Sequence, residues 1–209
     1  MKTLIIVDFQ KDFANKTGSL YVNGAEQAEQ NIVDYINKHA NELSDVIFTV
    51  DWHSPEHCSF KKNGGTWPLH CLQFSEGAGI SDNIMKTCLK HNLDIKILVK
   101  GNLNNTEEYG AFNYINKTGD GNYVLSNLYY EKYEVGTFSN NNSVLLITNE
   151  VVVCGIAGDY CVKSTIENLL NHKDECGFNI EVLKSGIVSI DGGEILDNFI
   201  KENNLKVVE

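Results

Sequence analysis

Apolar positions along the chain fall into two rhythms. Near-continuous apolar runs cover Thr3 to Val7, Asp45 to Val50, Ile95 to Val99, Glu150 to Ile156, Asn179 to Leu183 and Lys206 to Val208. Runs without polar alternation mark strands buried on both faces. Between them apolar residues return at helical spacing. Ala28, Ile32, Tyr35 and Ile36 share one face of Ala25 to Ala40; Val162, Ile166, Leu169 and Leu170 follow the same rule, as do Ile195, Phe199 and Ile200. Strands alternating with helices imply right-handed crossovers and a parallel sheet. The expectation is one three-layer α/β/α domain over residues 1–209, with a mainly parallel sheet of about six strands. The stretch from Asn113 to Asn142 breaks the rhythm. It is rich in Asn, Gly and Tyr, and it reads as a hairpin or surface excursion with a turn at Gly119-Asp120-Gly121-Asn122.

Ligands of open parallel sheets bind beyond the carboxyl ends of the strands, so the polar residues just past each run matter most. The first run ends in Asp8, the second in Asp51, the third in Lys100, and the fourth leads through a short loop to Cys161. Singly, each has an ordinary explanation: a strand-end Asp caps a helix or turn, and a Cys fills core space. Together, a carboxylate, an amine and a thiol on neighbouring strand ends form an acid/base and nucleophile set. Cys161 alone among the six cysteines stands just before a helical run with a lysine expected nearby, and both features stabilise a thiolate. The backbone N–H groups of its turn suit an oxyanion hole.

The segment Asp51-Trp52-His53-Ser54-Pro55-Glu56-His57, followed by Trp67-Pro68-Leu69-His70, is a second signal. Asp51 and His53 lie two apart and point to one side of an extended segment; His70 completes a set of one carboxylate and two imidazoles. Such a set suits Zn, Fe or Mn with coordination positions left over. His57 is open between a ligand, a hydrogen-bond partner of a ligand, and a surface residue. Phe13 and Trp67 are flat enough to wall an aromatic ring, or they pack in the core.

Composition narrows the partners. The net charge of −11 argues against nucleic acid and anionic membrane. All 17 basic residues are lysines, so no arginine clamp is available for a carboxylate or phosphate substrate, which favours a neutral one. Leu4 to Val7 is too short for the apolar core of a signal peptide, no run reaches membrane-spanning length, and six cysteines without an export signal read as free thiols of a cytoplasmic protein.

These blocks resemble the nicotinamidases (pyrazinamidases) of the isochorismatase-like cysteine hydrolases. Leu4 to Phe13 resembles the family's first strand with its catalytic aspartate. Asp51-Trp52-His53-Ser54-Pro55 and Trp67-Pro68-Leu69-His70-Cys71 resemble its metal segments. Lys100-Gly101 with Tyr109-Gly110-Ala111-Phe112 resembles the lysine block, and Val153 to Val162 the nucleophile block. The resemblance implies the Rossmann-like isochorismatase-like hydrolase fold and a triad of Asp8, Lys100 and Cys161. It also implies an oxyanion hole from the N–H groups of Ala157 and Cys161, with a cis Ile156–Ala157 bond. One divalent transition metal, Zn ahead of Fe or Mn, would sit on Asp51, His53 and His70. Nicotinamide would lie between Phe13 and Trp67, near Tyr109 and Tyr160, and would be hydrolysed through a cysteine thioester, a reaction of NAD salvage.

The chain also departs from the family. Gly158 stands where the nucleophile block usually carries Thr, which would loosen the turn. The stretch between Phe112 and Val151 is longer than usual. His57 does not match the spacing of the further histidine ligand some members use, and is not counted among the ligands. The alternatives are a related amidohydrolase acting on another small amide or ureido compound, an inactive homologue that keeps the pocket, and a thiol-redox protein, against which the lack of a Cys-x-x-Cys pair argues. A homo-oligomer remains open.

Overall fold

The structure is a computed structural model describing residues 1–117, 123–127, 143–146 and 148–209. All six expected runs are strands of one sheet: β1 (Lys2–Val7), β2 (Leu43–Asp51), β3 (Asp94–Lys100), β7 (Glu150–Ile156), β8 (Asn179–Val188) and β9 (Lys206–Val208). The sheet order is β3-β2-β1-β7-β8-β9, and every neighbouring pair is parallel.

Side chains of successive strand residues divide between two cores, as the two-residue period of a strand requires. Leu4, Ile6, Val46, Phe48, Val152 and Cys154 face one side, with Ile32 and Ile36 of α2 (Ala25–His39) and Ile84 and Cys88 of α3 (Asp82–Lys90). Ile5, Val7, Ile47, Leu98, Val151 and Val153 face the other, with Ile166 and Leu169 of α4 (Lys163–Asn171) and Leu196, Phe199 and Ile200 of α6 (Glu194–Glu202). This is the three-layer arrangement expected, and it explains the unbroken apolar runs.

Two short α-helices join these among the described residues, α1 (Lys11–Ala14) and α5 (Lys173–Cys176). Helix α3 was not expected from the apolar pattern. Ser81 starts it by accepting the Ile84 N–H at 3.2 Å, and its buried face is Ile84, Thr87 and Cys88, of which only Ile84 signals a core position unambiguously. The irregular stretch and the residues just after it hold a separate antiparallel sheet of β4 (Tyr114–Lys117), β5 (Tyr123–Ser126) and β6 (Ser143–Leu146). The expected hairpin is the β4–β5 pair; its turn at 119–122 lies outside the described residues. Leu125, Val144 and Leu146 close the second core.

The strand order places the site. From β1 the chain steps outward through β2 and β3; from β7 it steps the opposite way through β8 and β9. The crevice between β1 and β7 is therefore the switch point where α/β sheets bind ligands. Register completes the placement. Val7 lies opposite Thr49 and Gly155, and Asp51 lies opposite Lys100.

Candidate active site

Asp8 leaves β1 with φ 48, a left-handed conformation that Asp tolerates better than most residues. Its N–H donates to the Thr49 carbonyl at 3.1 Å, and the Thr49 hydroxyl donates to Asp8 Oδ1 at 2.6 Å. Asp8 Oδ2 faces Lys100 Nζ at 2.8 Å. Lys100 is wholly buried. Its ammonium contacts Asp51 Oδ1, donates to the Glu108 carbonyl at 3.2 Å, and lies 3.7 Å from Cys161 Sγ. Asp8, Asp51 and the Cys161 sulfur each place one atom within 4.8 Å of the others. The strand-end carboxylate, amine and thiol singled out in the sequence thus converge.

The ionisation pattern follows from burial and proximity. Burial pushes the Asp8 carboxyl up, against the pull of Lys100, and the Asp51 charge pushes it further. Burial opposes the Lys100 charge, but Asp51 and Asp8 outweigh it and hold the ammonium well above its ordinary range. Burial resists ionisation of Asp51 too, and there Lys100 with His53 prevails, so this carboxylate stays ionised. The Cys161 thiol is held well above its usual value, by burial first and by Asp8 and Asp51 next, against Lys100. Beside two carboxylates and away from water, the sulfur favours its protonated form, in keeping with the expected role of Asp8 as the group that takes the thiol proton.

The turn carrying Cys161 is wider than an α-helix start. Residues Gly158–Val162 form a π-helical turn in which the Ala157 carbonyl accepts from Tyr160 N at 3.1 Å and Val162 N at 3.0 Å, passing over Cys161. Such turns recur at functional sites. The Ile156–Ala157 bond is cis. At Gly158 the space a side chain would need is taken by Ser189, Ile187 and Leu196. The space next to the turn is thus filled from β8, from the residue that follows it and from α6.

Asp51, His53 and His70 each offer one ligand atom, all within 4.8 Å of one another. His53 Nε2 is 3.5 Å and His70 Nε2 3.9 Å from Asp51 Oδ2. Both rings are tied at the far nitrogen: His53 Nδ1 donates to the Gly101 carbonyl at 2.7 Å, and His70 Nδ1 to the Pro68 carbonyl at 2.8 Å. A ring whose Nδ1 donates to a carbonyl has its Nε2 lone pair free, the arrangement found around metal-binding histidines. The donor set fits a divalent transition metal. His57 is fully buried against the His53 ring, with its nitrogens engaged by the Ser59 hydroxyl at 2.8 Å and the Thr106 carbonyl at 3.0 Å. Both nitrogens are engaged, and the ring backs that of His53 rather than lying at the surface. Burial lowers its pKa to about 4.

A cleft of about 410 Å³, counting its open mouth, lies over these groups. Phe13, Trp67, Tyr109 and Tyr160 line it with Asp51, His70, Ala157 and Cys161. Trp67 Nε1 donates to the Tyr109 hydroxyl at 3.1 Å, and its ring meets Tyr160 edge-on at 5.2 Å. Phe13 rests against His70. Asp8, Lys100 and His53 lie behind the lining. Sequence reasoning missed Val22, Glu107 and Ile190, which also line the cleft, and the supporting side chains Gln10, Thr49 and Glu108. Gln10 brackets Asp51, accepting from its N–H at 2.7 Å and donating to its carbonyl at 2.8 Å. Adjacency to Asp8 on the chain was the one available signal for it.

The nicotinamidase of Saccharomyces cerevisiae is 31 % identical to this chain, and the match spans 100 % of both. The chain belongs to the nicotinamidases of the isochorismatase-like family. A solved structure of yeast nicotinamidase, bound to the inhibitor nicotinaldehyde, superposes with TM-score 0.72 at 26 % identity over 100 % of both chains. The pyrazinamidase of Pyrococcus horikoshii, solved in complex with zinc, has the same fold, with TM-score 0.67 at 24 % identity over 100 % of this chain and 98 % of that one. No family model matches the chain. As a nicotinamidase, it gathers the residues of the expected triad and donor set near the carboxyl ends of the central strands.

Proposed function

We propose that this chain hydrolyses nicotinamide to nicotinate and ammonia, a step of NAD salvage, as one hydrolase domain over its whole length. The observation that carries the reading is the contact of Asp8, Lys100 and Cys161 beneath an aromatic-walled cleft beside a carboxylate-and-two-imidazole donor set. Membership of the nicotinamidases supports the substrate, and the lack of arginine agrees with a neutral amide.

In this reading the amide carbon meets Cys161 with the ring between Phe13 and Trp67. Asp8, its affinity for a proton raised by burial, takes the thiol proton as sulfur attacks. Lys100 stays charged throughout and holds the developing negative charge among Asp8, Asp51 and the sulfur. The N–H groups of Ala157 and Cys161 face the carbonyl oxygen as it becomes an oxyanion. Asp8 returns its proton to the nitrogen, ammonia leaves, and a thioester remains on Cys161. Asp8 then draws a proton from the water that attacks the thioester, nicotinate departs, and the thiol is restored. Asp51, His53 and His70 would hold a divalent ion, zinc being the best match to the set. When bound it would supply a Lewis acid able to take the pyridine nitrogen of the substrate.

The same proposal takes the partner to be this small molecule, not nucleic acid or membrane, and the location to be cytoplasmic. No helix among the described residues is long and apolar enough to cross a membrane. Incubating purified protein with nicotinamide tests the reading. Ammonia and nicotinate in equal amounts are expected from the native chain and none from Cys161→Ala; inactivity of the zinc-loaded native protein, or normal turnover by the variant, refutes it.

A further inference from the structure

Glu108 is a carboxylate without a part in the chemistry above, yet it is buried at the centre of the site's support. It lies 8 % exposed, between cleft-lining Glu107 and Tyr109. Its Oε2 accepts the Gly101 N–H at 2.9 Å, and its own carbonyl accepts from Lys100 Nζ at 3.2 Å. Gly101 in turn presents its carbonyl to His53 Nδ1 at 2.7 Å. One residue therefore grips the Lys100–Gly101 peptide, and the next peptide, joined to it at the Gly101 Cα, presents the carbonyl that holds the imidazole.

Gly101 is built for this position. Its φ of +63° is the left-handed region that favours glycine, and a Cβ there would stand 2.8 Å from His53 Nδ1. The imidazole packs directly on the glycine backbone, so the ring's direction follows the Gly101–Asn102 peptide, which turns at the Gly101 Cα with the peptide that Glu108 holds. Beyond Gly101 the chain leaves regular structure until β4. The peptide is thus held on one side by β3 and on the other by the Glu108 carboxylate. A hydrogen bond from an N–H to an ionised carboxylate is shorter and stronger than a neutral one.

We propose that Glu108 is a positioning residue which, through Gly101, sets the Lys100 ammonium among its partners and aims His53 Nε2 at the Asp51–His70 donor pair. This rests on the reading of the chain as a metal-assisted nicotinamidase, and it adds a residue that the first-pass motifs do not contain. The expected consequence is joint: one substitution away from the cleft loosens metal binding and slows the chemical step together.

The test compares Glu108→Ala with Glu108→Gln, whose side-chain oxygen can still accept the Gly101 N–H. Zinc affinity is measured on metal-free protein by competition with a chromogenic chelator, without substrate; kcat and KM for nicotinamide are measured on zinc-saturated protein, and Tm on the metal-free forms. Partners of metal ligands typically contribute about 10–100-fold in metal affinity or activity. Glu108→Ala is expected to lose zinc affinity and kcat by factors in that range with KM little changed, and Glu108→Gln to recover most of both. Glu108→Asp, which keeps the charge but shortens the reach, should fall between the two and replaces the alanine variant if that one does not fold. A lowered Tm with zinc affinity and kcat unchanged would make Glu108 merely structural and overturn the proposal, as would a glutamine variant as impaired as the alanine one. If the native protein does not hydrolyse nicotinamide, the functional reading falls while the zinc measurement still decides the role of Glu108.

Discussion

Placing a side chain at Gly158 tests how the nucleophile turn is held. A Cβ built there meets Ser189 Oγ in overlap, lies 2.9 Å from Ile187 Cγ2 and 3.1 Å from Leu196 Cδ2. Three separate side chains must move for one added carbon, in a buried turn wedged between β7, β8 and α6. Overpacking of this kind costs about 1–3 kcal/mol. For a chain of 209 residues each kcal/mol lowers Tm by about 2–4 °C, so Gly158→Ala should lower it by about 2–12 °C. Gly158→Thr, the residue usual at this place in the family, adds two further heavy atoms and should cost more. Displacing the turn also displaces Cys161, three residues on, so kcat should fall alongside Tm. Ser189→Gly removes the nearest obstacle. The double variant Gly158→Ala/Ser189→Gly should regain part of the loss, a coupling of about 0.5–3 kcal/mol in a double-mutant cycle. Thermal melts and ammonia-release rates on the four proteins supply the measurement. A threonine variant as stable and active as the native chain, or single effects that simply add, would refute the idea that these side chains fill the space next to the turn.

Three more outcomes follow from the structure. Chelation should strip a bound transition metal and raise KM for nicotinamide, with zinc restoring it; elemental analysis showing no Zn, Fe or Mn in fully active protein would contradict the Asp51–His53–His70 assignment. Pyrazinamide should be hydrolysed and benzamide poorly, because a site built to bond a polar substrate atom rejects analogues lacking it by large factors; equal kcat/KM values would mean that shape alone selects. Glu181 joins β1 to β8 and β9 through Lys2 and Lys206, and these lysines, working against burial, lower its pKa. A lowered carboxylate pKa stabilises the fold above the unfolded value of about 4.3 and loses that effect as pH falls through the folded value. Glu181→Gln should therefore cost about 1 kcal/mol at neutral pH, with the gap to the native protein closing in acid; a gap that persists or grows on acidification would reject the pairing.

The strand pattern was legible in the sequence because both faces of the sheet are covered, which leaves apolar runs unbroken from Leu4 to Val7 and from Val151 to Ile156. Residues at the carboxyl ends of those runs were legible for the same reason: register carries Asp51 to Lys100 and Val7 to Gly155 without any side-chain detail. Helix α3 was not legible because Thr87 and Cys88 supply most of its buried face. A hairpin was legible from the turn residues, but its strand bounds and the third strand β6 were not, since these strands are four residues long and β4 is largely exposed. Support residues were the least visible. Glu108 reads on paper as one of two adjacent surface acids, and only the turn of the chain after Gly101 brings it inward. His57 likewise stays open between ligand, partner of a ligand and surface residue until Ser59 and Thr106 are seen to occupy its ring. The upward push on the thiol comes first from burial and then from Asp8 and Asp51, surroundings visible only in three dimensions.

The central claim is that Cys161 attacks the amide carbon and carries the acyl group. It is tested most directly by quenching the native protein in acid during turnover of nicotinamide and locating the added mass by peptide mapping. A nicotinoyl group on Cys161, absent when nicotinamide is omitted and absent from Cys161→Ala, is the predicted result. Acylation of another residue, or ammonia release at the native rate by Cys161→Ala, would contradict it.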